Sequence, residues 1–256
     1  MGSHLPATHW LRFKKRIALC PMPTILQTAL PETQQGNPRL PGTQPCDADD
    51  WLRVDEVYAA QMAYRAQLLA ERAEAVLYEN DTTRAVAGEV LTEALKILPG
   101  LGFSVQGDIV TCPDGRIVSL NRDCPLHTLG HLVQEDICVL EKRGDEHVMT
   151  SAVLCFPANW RLAEKINRPL TGIHEPVDEY DANLARRVQR LFDGVQVGRP
   201  LWRFNKLPYL DADLHQPRKR AVVDEMPYVR SERQCILRMP KSGAVVFTIH
   251  TFVVRA

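Results

Sequence analysis

Long apolar runs are missing from this chain of 256 residues. None reaches the roughly 18 consecutive apolar residues that cross a bilayer, and the longest candidate, Ala244 to Val254, is broken by Thr248, His250 and Thr251. A membrane-bound protein is therefore not expected. Charge of one sign is missing too: lysine plus arginine and aspartate plus glutamate number 31 each, so no net field draws nucleic acid. Paired cysteines are absent. Cys20, Cys46, Cys112, Cys124, Cys138, Cys155 and Cys235 are odd in number and none form C-x-x-C, which fits reduced thiols used as small core residues in the cytoplasm. The stretch around Arg12, Lys14, Lys15 and Arg16 lacks the apolar centre of a secretory signal, and a short basic transit segment stays open. No G-x-S-x-G elbow, P-loop or G-x-G-x-x-G occurs, which argues against a serine hydrolase, an ATPase and a dinucleotide fold.

What is present falls into two regions. Residues 1–50 carry Pro6, Pro21, Pro23, Pro31, Pro38, Pro41 and Pro45 with little hydrophobic period, and read as an extended arm. Residues 51–256 read as one domain. Tyr58, Met62, Leu68 and Leu69 recur at helical spacing and predict a helix over about 55–75. A second helix is expected from an Asp81 cap through Leu98, stopped by Pro99, Gly100 and Gly102. A small hairpin is expected around Pro113-Asp114-Gly115, and a stronger one over Ile137 to Phe156 about the turn Lys142 to Glu146. About forty residues without strand signal follow, with a short helix at Trp160–Ile166 and an amphipathic helix at Asp178–Phe192 around an irregular stretch. Leu201 to Phe204, Cys235 to Met239 and Ala244 to Val254 close the chain as strands, after a polar loop that holds Arg218, Lys219 and Arg220. The expected class is α+β: an antiparallel sheet of about five strands with helices over one face, preceded by a helical N-terminal region.

The candidates for chemistry are histidines, one thiol and a few acids. His127 and His131 lie four apart, but Thr128-Leu129-Gly130 is a poor helix and no acid follows at metalloprotease spacing. His174 lies in Gly172-Ile173-His174-Glu175-Pro176-Val177, between two expected helices and over the sheet, where an imidazole could reach an iron. By composition alone such a histidine is more often a satisfied structural residue. A haem would need an apolar slot and cations for its propionates. Phe156, Trp160, Ile173, Val177, Leu184 and Trp202 could form the slot, and Lys165, Arg168, Arg187 or Arg203 could meet the carboxylates. Glu135 and Asp136 enter the main hairpin. They are either an ordinary strand-entry pair or carboxylates that bind an ammonium substrate and relay protons.

Several strings taken together carry a family resemblance. Gln134-Glu135-Asp136-Ile137-Cys138-Val139-Leu140, Leu154-Cys155-Phe156-Pro157 with Trp160, Pro169-Leu170, Ile173-His174-Glu175-Pro176-Val177, Trp202-Arg203-Phe204-Asn205 and Leu237-Arg238-Met239-Pro240-Lys241-Ser242-Gly243 keep one order. The chain from about residue 50 to 254 resembles the haem-dependent oxidative N-demethylase alpha-subunit family. That resemblance implies a PAS-like fold, b-type haem and a monooxygenase-like reaction. A small secondary amine such as dimethylamine would go to a primary amine and formaldehyde, with oxygen as oxidant. It also implies electrons from NADPH through flavin and iron–sulfur reductase subunits. His174 is then the expected iron ligand, with His250 or Cys155 as alternatives. A haem-based sensor and a haem-free scaffold subunit are the competing readings. Two departures stand out: the family usually reads Lys-x-Gly where this chain has Lys165-Ile166-Asn167, and arginine near the last strand where this chain has His250.

Overall fold

A computed structural model describes residues 24–38, 42–174, 182–218 and 225–256, without the side chains of His174 and of 182–185. In chain order the elements are β1 (Gln44–Pro45), α1 (Tyr58–Glu71), α2 (Ala73–Val76), β2 (Leu77–Tyr78), α3 (Arg84–Ile97), β3 (Ser104–Gln106), β4 (Ile109–Thr111), β5 (Ile117–Ser119) and α4 (Pro125–Leu132). There follow β6 (Asp136–Arg143), β7 (Glu146–Val153), α5 (Leu162–Lys165), α6 (Leu170–His174), α7 (Ala182–Gly194), β8 (Leu201–Tyr209), β9 (Tyr228–Arg238) and β10 (Val245–Arg255).

An open antiparallel sheet organises the molecule, in the order β1-β8-β9-β10-β6-β7-β2, with a separate meander β3-β4-β5. The sheet therefore has seven strands rather than about five. Five are long, and two-residue strands extend each edge. The small hairpin near Pro113 is part of a three-stranded sheet, because Ile109 to Thr111 pairs on both sides.

Side-chain alternation along the strands splits the core in two. Ile137, Val139, Cys235, Leu237 and Val246 pack with α1, α3 and α4 through Met62, Leu68, Val90, Leu91, Leu126 and Leu129. Cys138, Leu140, Ile236, Val245 and Ile249 pack instead with Leu162, Leu170, Ile173 and Phe192 of α5 to α7. Helices cover both faces, which corrects the expectation of one covered face. Each face of the long strands is apolar, and each needs a cover.

Two elements show how local chemistry is overridden. α4 contains Gly130 and starts at Pro125, yet it is held from outside: both oxygens of Glu79 accept the backbone N–H groups of Leu126 and His127, at 3.0 and 3.2 Å. α1 carries Arg65 in the middle of its buried stripe Tyr58, Gln61, Met62, Leu68 and Leu69. Burying that cation requires an anion, and Asp136 supplies it at 2.7 Å.

Candidate functional site

The site is built where α5 to α7 cover the sheet. Strand residues Cys138, Ile236, Phe247 and Ile249, Leu154 just past β7, and helix residues Leu170 and Ile173 form a buried apolar cluster, with Trp160 and Ile166 at its margin. Two cations border it. Lys165, at the end of α5, holds its ammonium 4.2 Å from the Trp160 ring centroid. Arg203 in β8 faces the same side, since it pairs with Gln234 and Gln234 pairs with Ile249.

Neither cation has a carboxylate at ion-pair distance among the described residues, and Arg203 Nε is buried without a hydrogen-bond partner. Burial holds both Lys165 and Arg203 below their ordinary pKa values, with Glu232 pulling the other way. Glu232 itself is occupied. Its carboxylate accepts from Arg230 Nε at 3.2 Å, Asn205 Nδ2 at 3.0 Å and Gln234 Nε2 at 3.1 Å. Two half-buried positive groups beside an apolar surface are a place for an anion that the chain does not provide.

The remaining expected residues are dispersed. Phe156 belongs to the opposite core, 5.7 Å from the Tyr64 ring and 5.3 Å from the Arg65 guanidinium carbon. Trp202 joins that same side, under Arg233 at 5.1 Å. Arg168 and Arg187 are exposed. Val177 lies outside the described residues, as do the side chains of His174 and Leu184, although the backbone of His174 closes α6.

Glu135 and Asp136 sit in a polar network on the α1 side. Asp136 accepts from Arg65 Nη1 and from the backbone N–H groups of Cys155 and Phe156, at 2.7, 2.7 and 2.8 Å, so both its oxygens are engaged. Glu135 Oε1 accepts from the N–H of Arg53 at 2.8 Å and lies 2.8 Å from His250 Nδ1, while its Oε2 is buried with no partner among the described residues. His250 Nε2 meets Asp55 Oδ2 at 3.2 Å. Burial alone would lower the imidazole pKa, but the Glu135 and Asp55 carboxylates reverse that and push it up to about 9. Both ring nitrogens of His250 are thus engaged, which leaves neither for a metal. Burial pushes the Cys155 thiol up to about 12, against the pull of Arg65, so it stays protonated.

Residue reading missed the Arg65–Asp136 pair and the second carboxylate on His250. A signal for the first was in the chain, because a lone arginine inside an apolar helical stripe calls for a buried anion. Asp55 carries no such mark.

An antiparallel α+β protein with a cation-edged apolar cluster under its second layer of helices is the class these features define. A family model described as haem-dependent oxidative N-demethylase, alpha subunit-like, matches residues 42–256. The chain belongs to that family. A haem presents a flat apolar ring and two carboxylates, and the unmatched Lys165 and Arg203 beside this apolar surface fit such a group.

Proposed function

We propose that this chain is the haem-carrying subunit of an oxidative N-demethylase, acting on a small secondary amine. The single observation that carries the reading is the pair of half-buried cations, Lys165 and Arg203, at the edge of an apolar cluster with no carboxylate at ion-pair distance among the described residues. Their ammonium and guanidinium would hold the two propionates, and Trp160, Ile173, Leu170 and Ile249 would contact the ring. His174 is the residue that would hold the iron, since α6 ends at it over the sheet face that α5 to α7 cover.

When bound, the haem supplies oxygen activation. The overall change consumes the amine, one oxygen molecule, two electrons and two protons, and yields the demethylated amine, formaldehyde and water. The chain's own share is exclusion of water by the apolar cluster. Glu135 lies across the sheet on the α1 side, bound to the N–H of Arg53 and to His250, so it positions that imidazole. Asp136 is a positioning group, with each oxygen already bound. The electrons come from outside, from NADPH through flavin and iron–sulfur subunits.

The long strands support a PAS-like reading. Taken alone they run second-first-fifth-fourth-third, β7-β6-β10-β9-β8, with a helical excursion between the second and third. The assay is formaldehyde release from dimethylamine by the haem-loaded protein with oxygen and a chemical reductant. Formaldehyde in proportion to added amine supports the proposal; none, with haem bound and reducible, contradicts it.

A further inference from the structure

His127 and His131, four apart in the chain, take no part in the candidate site. Thr128-Leu129-Gly130 between them reads as a poor helix, yet α4 forms over Pro125–Leu132, because Glu79 holds its first turn and all three of those residues pack inward. A formed helix changes what the spacing means. Residues four apart lie one above the other on one helix face. Here the two imidazole ring centroids stand 4.7 Å apart with their planes at 64°, and both residues are half-exposed.

That separation suits a chelate. With nitrogen–metal bonds of about 2.1 Å, two imidazoles bound to one ion at about 90–109° have ring centres about 4.5–5.2 Å apart. The last torsion of a histidine side chain is soft, so half-exposed rings can turn their nitrogens to a common point without moving the backbone. Charge does not oppose this. Burial, then His127, Arg116 and Arg65, holds the His131 pKa down at about 4, so its ring is neutral at pH 7 and keeps a lone pair to give. The two guanidiniums are already matched, Arg116 by Asp114 and Arg65 by Asp136. No group of three His, Cys, Asp or Glu ligands forms among the described residues, so water would complete the shell of an ion held here.

We propose that His127 and His131 form a solvent-open, two-imidazole site for a first-row transition-metal dication such as Ni2+. Ligand type sets the choice of ion: imidazole suits nickel, copper and zinc, whereas Mg2+ prefers carboxylate and water. An ion held by both rings spans one turn of α4. It binds the folded helix only, and so stabilises an element that carries Gly130 in its interior and relies on a distant carboxylate for its first turn.

The test is histidine footprinting of the full chain with diethyl pyrocarbonate over a series of Ni2+ concentrations. Tryptic peptide 123–142 contains His127 and His131 and no other histidine, so fragment ions report each ring separately. Both rings should become protected together at one Ni2+ concentration, at a higher concentration with Co2+, and not at all with Mg2+. In His127→Gln the protection of His131 should need about tenfold or more Ni2+, and the same should hold for His127 in His131→Gln, because the second imidazole of a chelate acts at high effective concentration. Footprinting of the unmutated chain stands whether or not the variants fold. Rings that stay reactive with Ni2+, or protection of one ring that is unchanged when the other is removed, overturns the proposal.

Discussion

His250 Nδ1 and Glu135 Oε1 lie 2.8 Å apart in a site from which both side chains are almost wholly withdrawn from water. With Asp55 on the other nitrogen, this pair ties the segment before α1 to the middle of β10. The imidazole behaves as a buried cation at neutral pH, held charged by the two carboxylates.

A pH dependence follows from that charged pair. The folded pKa, about 9, lies above the ordinary 6.5, so the contribution is complete below pH 6.5 and fades as pH rises towards 9. The shift sets its scale at roughly 3 kcal/mol. Urea midpoints should fall across this window in the native protein and stay flat in His250→Gln, which begins lower. A native profile as flat as the variant's would show that the imidazole is not charged.

Arg65→Met should be among the most destabilising single changes. It leaves Asp136 buried with two backbone N–H donors but no counter-charge, at a cost of about 3–5 kcal/mol. Chemical denaturation measures it. A loss under about 1 kcal/mol would mean that Asp136 takes up a proton without strain.

Gly130→Ala tests the close approach of α4. A Cβ there would sit 2.9 Å from Leu69 Cδ1 and 3.0 Å from Val153 Cγ2. The helix-propensity gain of about 1 kcal/mol is opposed by an overpacking cost of about 1–3 kcal/mol. Net destabilisation, read as a lower melting temperature, is expected.

Much of the fold was legible in the chain. The β6–β7 hairpin shows as apolar, β-branched runs about a charged turn, and β10 as a long apolar strand after a Pro-Lys-Ser-Gly turn. β8 and β9 run further than residue type implies. Asn205, Lys206 and Arg230 to Gln234 are polar and were not assigned to a strand, yet Asn205 and Glu232 are neighbours in register and satisfy each other. α4 was hidden because its cap, Glu79, lies 47 residues upstream of Leu126. At the site, residue type pointed to Lys165 and Arg203 but not to which face each neighbour takes. Phe156 and Trp202 fall to the opposite core, because alternation along a strand turns on single-residue register. The Asn167 departure is also explained. Its φ is 59°, left-handed backbone that glycine favours and asparagine tolerates, so the turn before α6 keeps its form.

Lys165 and Arg203 should trade stability for haem affinity. Lys165→Met and Arg203→Met each remove a half-buried cation that has no carboxylate at ion-pair distance among the described residues, so the haem-free protein should be as stable or more so. Each should weaken hemin binding about tenfold or more, the loss of one charge-assisted contact. Paired denaturation and binding curves check both halves. Unchanged hemin affinity in both variants would place the propionates elsewhere.

The most direct test is a hemin titration of the purified protein followed in the Soret region. The account predicts a sharp, saturating band at one equivalent per chain, with its ligand signature lost in His174→Ala. A spectrum that stays that of free hemin at every concentration would contradict it.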